Sequence, residues 1–411
     1  MTTIDIATPS LYLDGIPHEG FTRIRETEGL VWHPYGEDGF WAVTRHADVR
    51  EVSRNPEVFS SAIGHTNLWD LEADALEIRR SLIDSDAPDH TRLRRLVSKV
   101  FTPKATRGWE DTVRRITTEL VDGFVATGGG DWVEMLAAPL PIRVIMAILG
   151  VPDEDARYLV ELTDHLVEGT GAGSSLPDDA YGNTTPTRLL PFNSPASHAL
   201  YEYAERMRQL RLAEPADDLV TGLVRADIGG DRLSAAEYRN FFQLLVFAGN
   251  ETTRTAIIHG GLAFAQQPDQ WDALRDDPEL AGSAVDEVIR WASPILHMRR
   301  TASRDTVLAG TAIAAGDKVV MWYVSGNRDA SVFDNPDKLI IDRKNARQHV
   351  SFGFGIHRCM GNRLAEMQLR VLWEEISKRF YKVEVVGEPV RVVPNFVKGY
   401  SELPVVLHPL T

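Results

Sequence analysis

One helical pattern, Ser234–Gln267, constrains this chain more than any other feature. A Ser-x-x-Glu capping box, Ser234 and Glu237, marks its start. The run Phe241-Phe242-Gln243-Leu244-Leu245-Val246-Phe247 follows, and apolar residues resume at Ala256-Ile257-Ile258. A helix this apolar on both sides of its middle belongs in the centre of a protein. Its middle reads Ala248-Gly249-Asn250-Glu251-Thr252-Thr253-Arg254. Gly249 costs about 1 kcal/mol relative to Ala, and buried Asn, Glu and Thr need partners. Threonine can also bond a carbonyl one turn back and open the helix locally. Two readings stand: an exposed polar turn, or a proton-handling carboxylate and hydroxyl beside a cavity, with room left by Gly249. The flanking apolar residues favour the second.

Helical periodicity also marks Asp48–Asn55, Ala87–Val100, Ala105–Thr127, Leu140–Leu149, Asp153–Glu168, Pro195–Glu214, Glu279–Ala292 and Asn362–Arg379. Strand signals gather at the ends: Gly39–Thr44, a hairpin of Val307–Ala312 with Lys318–Tyr323, then Val383–Val386 and Val405–His408. Dominant helices with segregated strands predict a mainly α protein with small β-sheets, of the α+β class. No composition break suggests a linker, so residues 1–411 read as a single domain. Gly169–Pro191, rich in Gly, Ser, Thr and Pro, is too long for a plain connector. Such loops are lids, binding loops or disordered insertions.

A net charge of −15 argues against nucleic-acid binding and against attraction to anionic membranes. Met1–Pro17 has acidic residues and no apolar core of a signal peptide, and no segment approaches a membrane span. Cys359 is the only cysteine in 411 residues. That count excludes an internal disulfide and a multi-cysteine metal site, and it suits a reducing cytoplasm. Three roles stay open for it: inert core residue, nucleophile, or thiolate ligand of a haem iron. Its approach, Ser351-Phe352-Gly353-Phe354-Gly355-Ile356-His357-Arg358-Cys359-Met360-Gly361, is glycine-rich.

Glu287 and Arg290 share a helix face in Val285-Asp286-Glu287-Val288-Ile289-Arg290-Trp291. Surrounding apolar residues imply partial burial, which requires a further partner, and Arg343 is the candidate. His90 and Arg94 share another face, while Arg92, Arg95 and Lys99 fall on a second one. A solvated basic helix accounts for them. So does an inner face toward an anionic ligand with an outer face toward an acidic partner.

These pieces occur together in one family. Phe352-x-x-Gly355-x-x-x-Cys359-x-Gly361 resembles the cysteine-ligand loop of the cytochrome P450 haem-thiolate monooxygenases. Glu287-x-x-Arg290 resembles their Glu-x-x-Arg helix, and Ala248-Gly249-x-Glu251-Thr252-Thr253 their oxygen-activating helix. Asp86-Ala87-Pro88-Asp89-His90-Thr91-Arg92 and Gly326-Asn327-Arg328-Asp329 look like the soluble bacterial branch. The stretch His297–Phe380 looks most like hydroxylases of alkanes, terpenoids or other lipophilic chains.

The resemblance implies haem b with Cys359 as proximal iron ligand, in a loop whose glycines permit a tight turn. Phe352, Gly353 and Gly361 would shape that loop, and Ala248 would lie over the haem. His90, Arg94, Arg300 and His357 match positions that hold the haem propionates; Arg300 fits the pattern better than its neighbour Arg299. Thr252 would hydrogen-bond dioxygen and Glu251 would relay protons, although many relatives have Asp at the latter position. Substrate-contact candidates are Leu244, Phe247, Ala248, Ile295, Leu296, Phe396 and Val397, mostly apolar, with Ile63–Leu82 and Gly169–Pro191 as a roof. His297, the odd polar neighbour, would face a propionate or the substrate. Arg92, Arg95, Lys99 and Arg358 would face a redox partner.

The expected function is hydroxylation of a C–H bond in a lipophilic small molecule of terpenoid, alkyl, alkylaromatic, fatty-acid or steroid type. Electrons would pass from NAD(P)H through ferredoxin reductase and ferredoxin to a monomeric cytoplasmic enzyme. The alternatives are a haem-binding sensor or electron carrier, for which Glu251 and Thr252 have no use, and a helical protein with a structural cysteine.

Overall fold

A computed structural model describes residues 5–36, 38–64, 66–169, 175–177, 179–182, 184–392 and 396–410. Two compact units emerge: Met1–Trp69 with Thr117–Pro139 and Thr252–Thr411, and Asp70–Ile116 with Leu140–Glu251. Against the expectation of one domain, the chain divides into these two units. No helix among the described residues is long and apolar enough to cross a membrane.

The first unit holds the sheets. Its main sheet runs Val31–His33, Phe40–Val43, Lys318–Trp322, His297–Ala302, Phe59–Ser60. Only Phe40–Val43 with Lys318–Trp322 is parallel. The expected hairpin of Val307–Ala312 with Lys318–Tyr323 does not form. Thr306–Leu308 instead folds back on Thr311–Ile313. Ala309 and Gly310, with φ of 49° and 78°, make the tight turn that these two strands need. Lys318–Trp322 is buried at all five positions and takes the sheet centre, as a strand covered on both faces must. Phe380–Val385 pairs with Pro404–Pro409, which also pairs with Gly130–Asp131.

The long helix spans Ala235–Gln266. Both capping-box bonds form: Ser234 N–H donates to Glu237 Oε2 (2.8 Å) and Glu237 N–H to Ser234 Oγ (3.2 Å). Gly249 is not sterically required on its packed side. A Cβ there meets Ile145 at 3.7 Å, an ordinary contact, so the room expected from this glycine is small. The demanding glycines are Gly260 and Gly261, where a Cβ would come 2.6 Å from Trp373 and 2.9 Å from Trp132. Those two indoles stack with centroids 6.2 Å apart against the helix.

The helix expected over Ala105–Thr127 is two, Pro103–Gly108 and Glu110–Ala126, with Trp109 between them. Within Gly169–Pro191, residues 170–174, 178 and 183 lie outside those described. The described part has short helical turns at Ala180–Gly182 and Thr187–Leu189. Arg188 there pairs with Glu72 (2.9 Å) and Asp74 (3.1 Å), so the two expected roof segments touch. His65, in the other roof segment, lies outside the described residues.

Glu287, on the helix Ala281–Ala292, is fully buried. Arg290 bonds it through Nε (2.7 Å) and Nη2 (2.8 Å), and Arg343 through Nε (2.9 Å). The Ile340 N–H donates to the same carboxylate at 2.9 Å. Both guanidiniums then bond the carbonyls of Asn327, Asp334, Asn335, Pro336 and Lys338. Removing one partner of a buried ion pair strands the other charge and costs about 3–5 kcal/mol. Glu287→Gln is therefore expected to lose about that much, read as a fall in the urea midpoint at unchanged m-value.

Candidate active site

The cysteine loop hangs from the Glu287 helix. Ser351 Oγ donates to the Ile289 carbonyl (2.9 Å), and Asn327 Nδ2 donates to the hydroxyls of Ser293 and Ser351 (2.8 and 2.7 Å). Asn327 Oδ1 accepts from Val350 N–H at 2.7 Å. The loop then turns twice through the left-handed region, at Gly353 (φ 66°) and Gly355 (φ 68°), which glycine alone adopts readily. A Cβ on Gly355 would fall 2.1 Å from the Ser53 carbonyl oxygen, at the end of the helix His46–Arg54. That helix also holds the loop through Phe354, whose ring carries Arg50 at 4.5 Å and Arg54 at 5.0 Å. Cys359 N–H closes the loop on the Phe352 carbonyl (2.9 Å).

Cys359 is exposed within this fixed loop. Gly361 caps the helix Asn362–Ser377, so the sulfur sits just ahead of a helix N-terminus, where a thiolate is favoured. The His349 ring packs at a tilt against Phe352, with centroids 5.3 Å apart. Burial, with Arg358 next, pushes His349 down to about 3, so its ring stays neutral beside the sulfur loop.

Strand alternation separates the two arginines of His297–Ala302. Arg299 lies beside Gly64 and Thr66: its backbone N–H donates to the Thr66 carbonyl (2.8 Å). A Cβ on Gly64 would touch its guanidinium at 2.6 Å. Arg300, also buried, lies close enough to Tyr323 to oppose the rise that burial gives that phenol. The Tyr323 hydroxyl in turn lies 3.6 Å from where a Gly353 Cβ would be. His357 Nε2 is 3.1 Å from Ser61 Oγ. A lone thiol with a buried arginine and a histidine nearby is the donor set that an iron porphyrin with two carboxylates requires, so these residues fit that group. His90 and Arg94 lie one turn apart on Asp89–Val97, His90 buried.

On the long helix, Leu244, Phe247, Ala248, Glu251 and Thr252 are partly or fully exposed, whereas Val246, Asn250, Thr253 and Thr255 are buried. The spacing of these five puts them on one helical face, flanked by Leu245, Gly249 and Arg254, which are also partly exposed. It carries apolar residues first and the acid–alcohol pair at its end. Phe192 packs on Phe247 with centroids 4.3 Å apart, bringing the end of the long loop onto this face.

Other expected residues divide. Ile295 and Val397 form a β-bridge and are partly exposed. Leu296 turns to the opposite side and is buried among Phe21, Phe40 and Trp322. Phe396 and Trp322 both pack on the buried His297 ring, at 5.8 and 4.8 Å. Arg92 is partly exposed. Its guanidinium is committed to Asp231 (2.8 Å) and Glu237 (2.6 Å), and Lys99 Nζ to the Asp227 carbonyl (2.6 Å). Arg95 and Arg358 are exposed. Sequence reasoning missed Arg50, Arg54 and Phe354; the i, i+4 arginine pair was its only trace.

A family model described as Cytochrome P450 matches residues 7–391, across both units. The chain belongs to the cytochrome P450 family. It is 38% identical to linalool 8-monooxygenase of Pseudomonas putida, covering 98% of this chain and 99% of that one. It is 36% identical to the steroid C26-monooxygenase of Mycolicibacterium smegmatis, covering 96% and 91%. A Mycobacterium marinum P450 solved with pseudoionone superposes with TM-score 0.86 at 37% identity, covering 98% of each. The chain is thus a P450 monooxygenase with the P450 fold, of a family that carries haem on a thiolate. Gly355→Ala is expected to force the loop off Ser53 and cost about 2–5 kcal/mol locally. Haem content per protein, measured after purification, should collapse while far-UV circular dichroism stays near wild type.

Proposed function

We propose that this P450 hydroxylates a C–H bond of a lipophilic, terpenoid- or steroid-like small molecule in the cytoplasm, with electrons from a ferredoxin and its reductase. The observation that carries this reading is the open face of the long helix, Leu244 to Thr252. Its apolar half suits a hydrocarbon substrate, whose burial is driven by removal of apolar area from water. The names of the relatives, a linalool and two steroid enzymes among them, point to the same chemical class. Haem held at Cys359 would supply oxygen activation: one atom of dioxygen would enter the substrate and the other, with two electrons and two protons, would leave as water.

The chain's own residues do the rest. Cys359 offers a thiolate favoured by the following helix. Its backbone N–H is spent on Phe352, which fixes the sulfur's direction. Arg300, His357, His90 and Arg94 would bind the propionates. Leu244 and Phe247 orient the hydrocarbon and exclude water. Thr252 donates a hydrogen bond on the substrate side, and Glu251 moves protons to it from solvent. Arg95 and Arg358, the exposed cations of the expected set, would steer an acidic ferredoxin at low salt.

Carbon monoxide added to the reduced protein tests the ligand: the red-shifted Soret band of a thiolate-bound haem is expected, and its absence from haem-loaded protein defeats the assignment. Thr252→Ala is expected to keep that spectrum and substrate affinity while product per NADH falls about a hundredfold, the low end of a general-acid contribution. Full coupling in that variant would remove Thr252 and Glu251 from proton delivery. Linalool and a steroid, each titrated for a spin-state shift, test the substrate class.

A further inference from the structure

A groove of about 850 Å³ runs along the helix Ala196–Ala213, and Arg239 of the long helix also lines it. From Ala196–Ala213 the lining comes from His198, Tyr201, Glu202, Glu205, Arg206 and Gln209, whose spacing is that of one helical face. All of these residues belong to one unit of the chain. The volume is that of a site for a small organic molecule rather than for a single ion. Polar and charged side chains form its walls, so an apolar ligand does not suit it.

Two guanidiniums face this groove without a carboxylate against them. Arg206 follows Glu202 by four residues, the spacing at which an acid and a base pair on a helix. It lies instead over the Tyr203 ring, 5.0 Å from the centroid, and is exposed. Glu202 is taken by His198, whose Nε2 is 3.3 Å from Oε1. Arg239 lies over the Tyr201 ring at 5.8 Å, and its Nε is buried with no partner among the described residues. Glu205 is committed elsewhere: Arg208 bonds both its oxygens (2.9 and 2.8 Å), and Gln209 adds a third bond (2.8 Å). The Tyr201 wall is fixed, because its hydroxyl donates to Asn240 Oδ1 while Asn240 Nδ2 donates to the Arg80 carbonyl (2.9 Å). A guanidinium over an aromatic face keeps its N–H edge available to an anion. The chain has 59 acidic and 44 basic residues, yet neither Arg206 nor Arg239 forms an ion pair among the described residues.

We propose that this groove binds a small organic dicarboxylate, one carboxylate on the Arg206 guanidinium and the other on that of Arg239. A guanidinium fork takes a carboxylate bidentately, and the volume leaves room for the carbon chain between the two. Glu202 is the acid left to oppose the ligand. None of these residues is assigned to haem, dioxygen or the hydrocarbon, so the site stands apart from the hydroxylation reading.

Isothermal titration calorimetry of the haem-loaded protein tests this, with sodium malonate, succinate, glutarate and adipate at constant ionic strength. One chain length is expected to bind best, about tenfold or more tighter than acetate, because a single span matches two forks. Arg206→Gln and Arg239→Gln should each weaken that dicarboxylate about ten- to a hundredfold while keeping the wild-type absorption spectrum. Glu202→Gln should instead tighten it about two- to fivefold, a gain that mere damage to the groove does not produce. If the dicarboxylates bind no more tightly than acetate, or either arginine variant binds the best of them as wild type does, the proposal is overturned. Inorganic phosphate binding more tightly than every dicarboxylate also overturns it, and makes the groove a phosphate site.

Discussion

The carboxylate of Glu287 is the interaction on which the haem-side architecture depends. It is fully buried, and only two guanidiniums plus a backbone N–H make that tolerable. Arg290 and Arg343 in turn gather five backbone carbonyls from residues 327–338, a stretch with little regular structure of its own. One of them is Asn327, whose side chain grips Ser351 and Val350 at the head of the cysteine loop. A charge far from the sulfur thereby sets where the loop begins. Buried ion pairs are weak arguments for net stability, but they are strong constraints on geometry, because each partner leaves the other few alternatives.

From that anchor, the loop is steered by space rather than by further charge. Gly355 has the Ser53 carbonyl where a side chain would be, so helix His46–Arg54 fixes the second turn by contact. The two arginines over Phe354 hold the ring from the same helix. Cys359 then emerges ahead of a helix N-terminus, exposed, with a neutral His349 nearby that adds no charge of its own. The sulfur's electrostatics are those of a helix end and the exposed Arg358, both favouring the thiolate.

Local signals made much of this legible in the sequence. The capping box of Ser234 and Glu237, the Glu287–Arg290 spacing with Arg343, and the glycines before Cys359 are short-range patterns with few structural solutions. What escaped depends on distant chain. His297–Ala302 reads His-Met-Arg-Arg-Thr-Ala, without strand alternation, because its arginines are buried against partners remote in sequence. Lys318–Trp322 does not pair with its neighbour in sequence, because a strand buried at all five positions belongs at the sheet centre. Leu296 and Ile295 look alike in composition, yet the pleat sends them to different surroundings. Gly260 and Gly261 passed unnoticed because their need for smallness is created by Trp373 and Trp132.

The open face of the long helix joins two demands that chemistry would otherwise have to reconcile. A helix rises about 1.5 Å per residue, so Leu244 and Thr252 are about 12 Å apart along the axis and Phe247 and Thr252 about 7.5 Å. Those spacings are fixed by the backbone ladder and not by loop conformation. A substrate held against Leu244 and Phe247 is consequently held at a set distance from the acid–alcohol pair, whatever the roof segments do. On the proposed reading, variation in Ile63–Leu82 or Gly169–Pro191 would change which hydrocarbon enters, while its distance to Glu251 and Thr252 would stay with the helix.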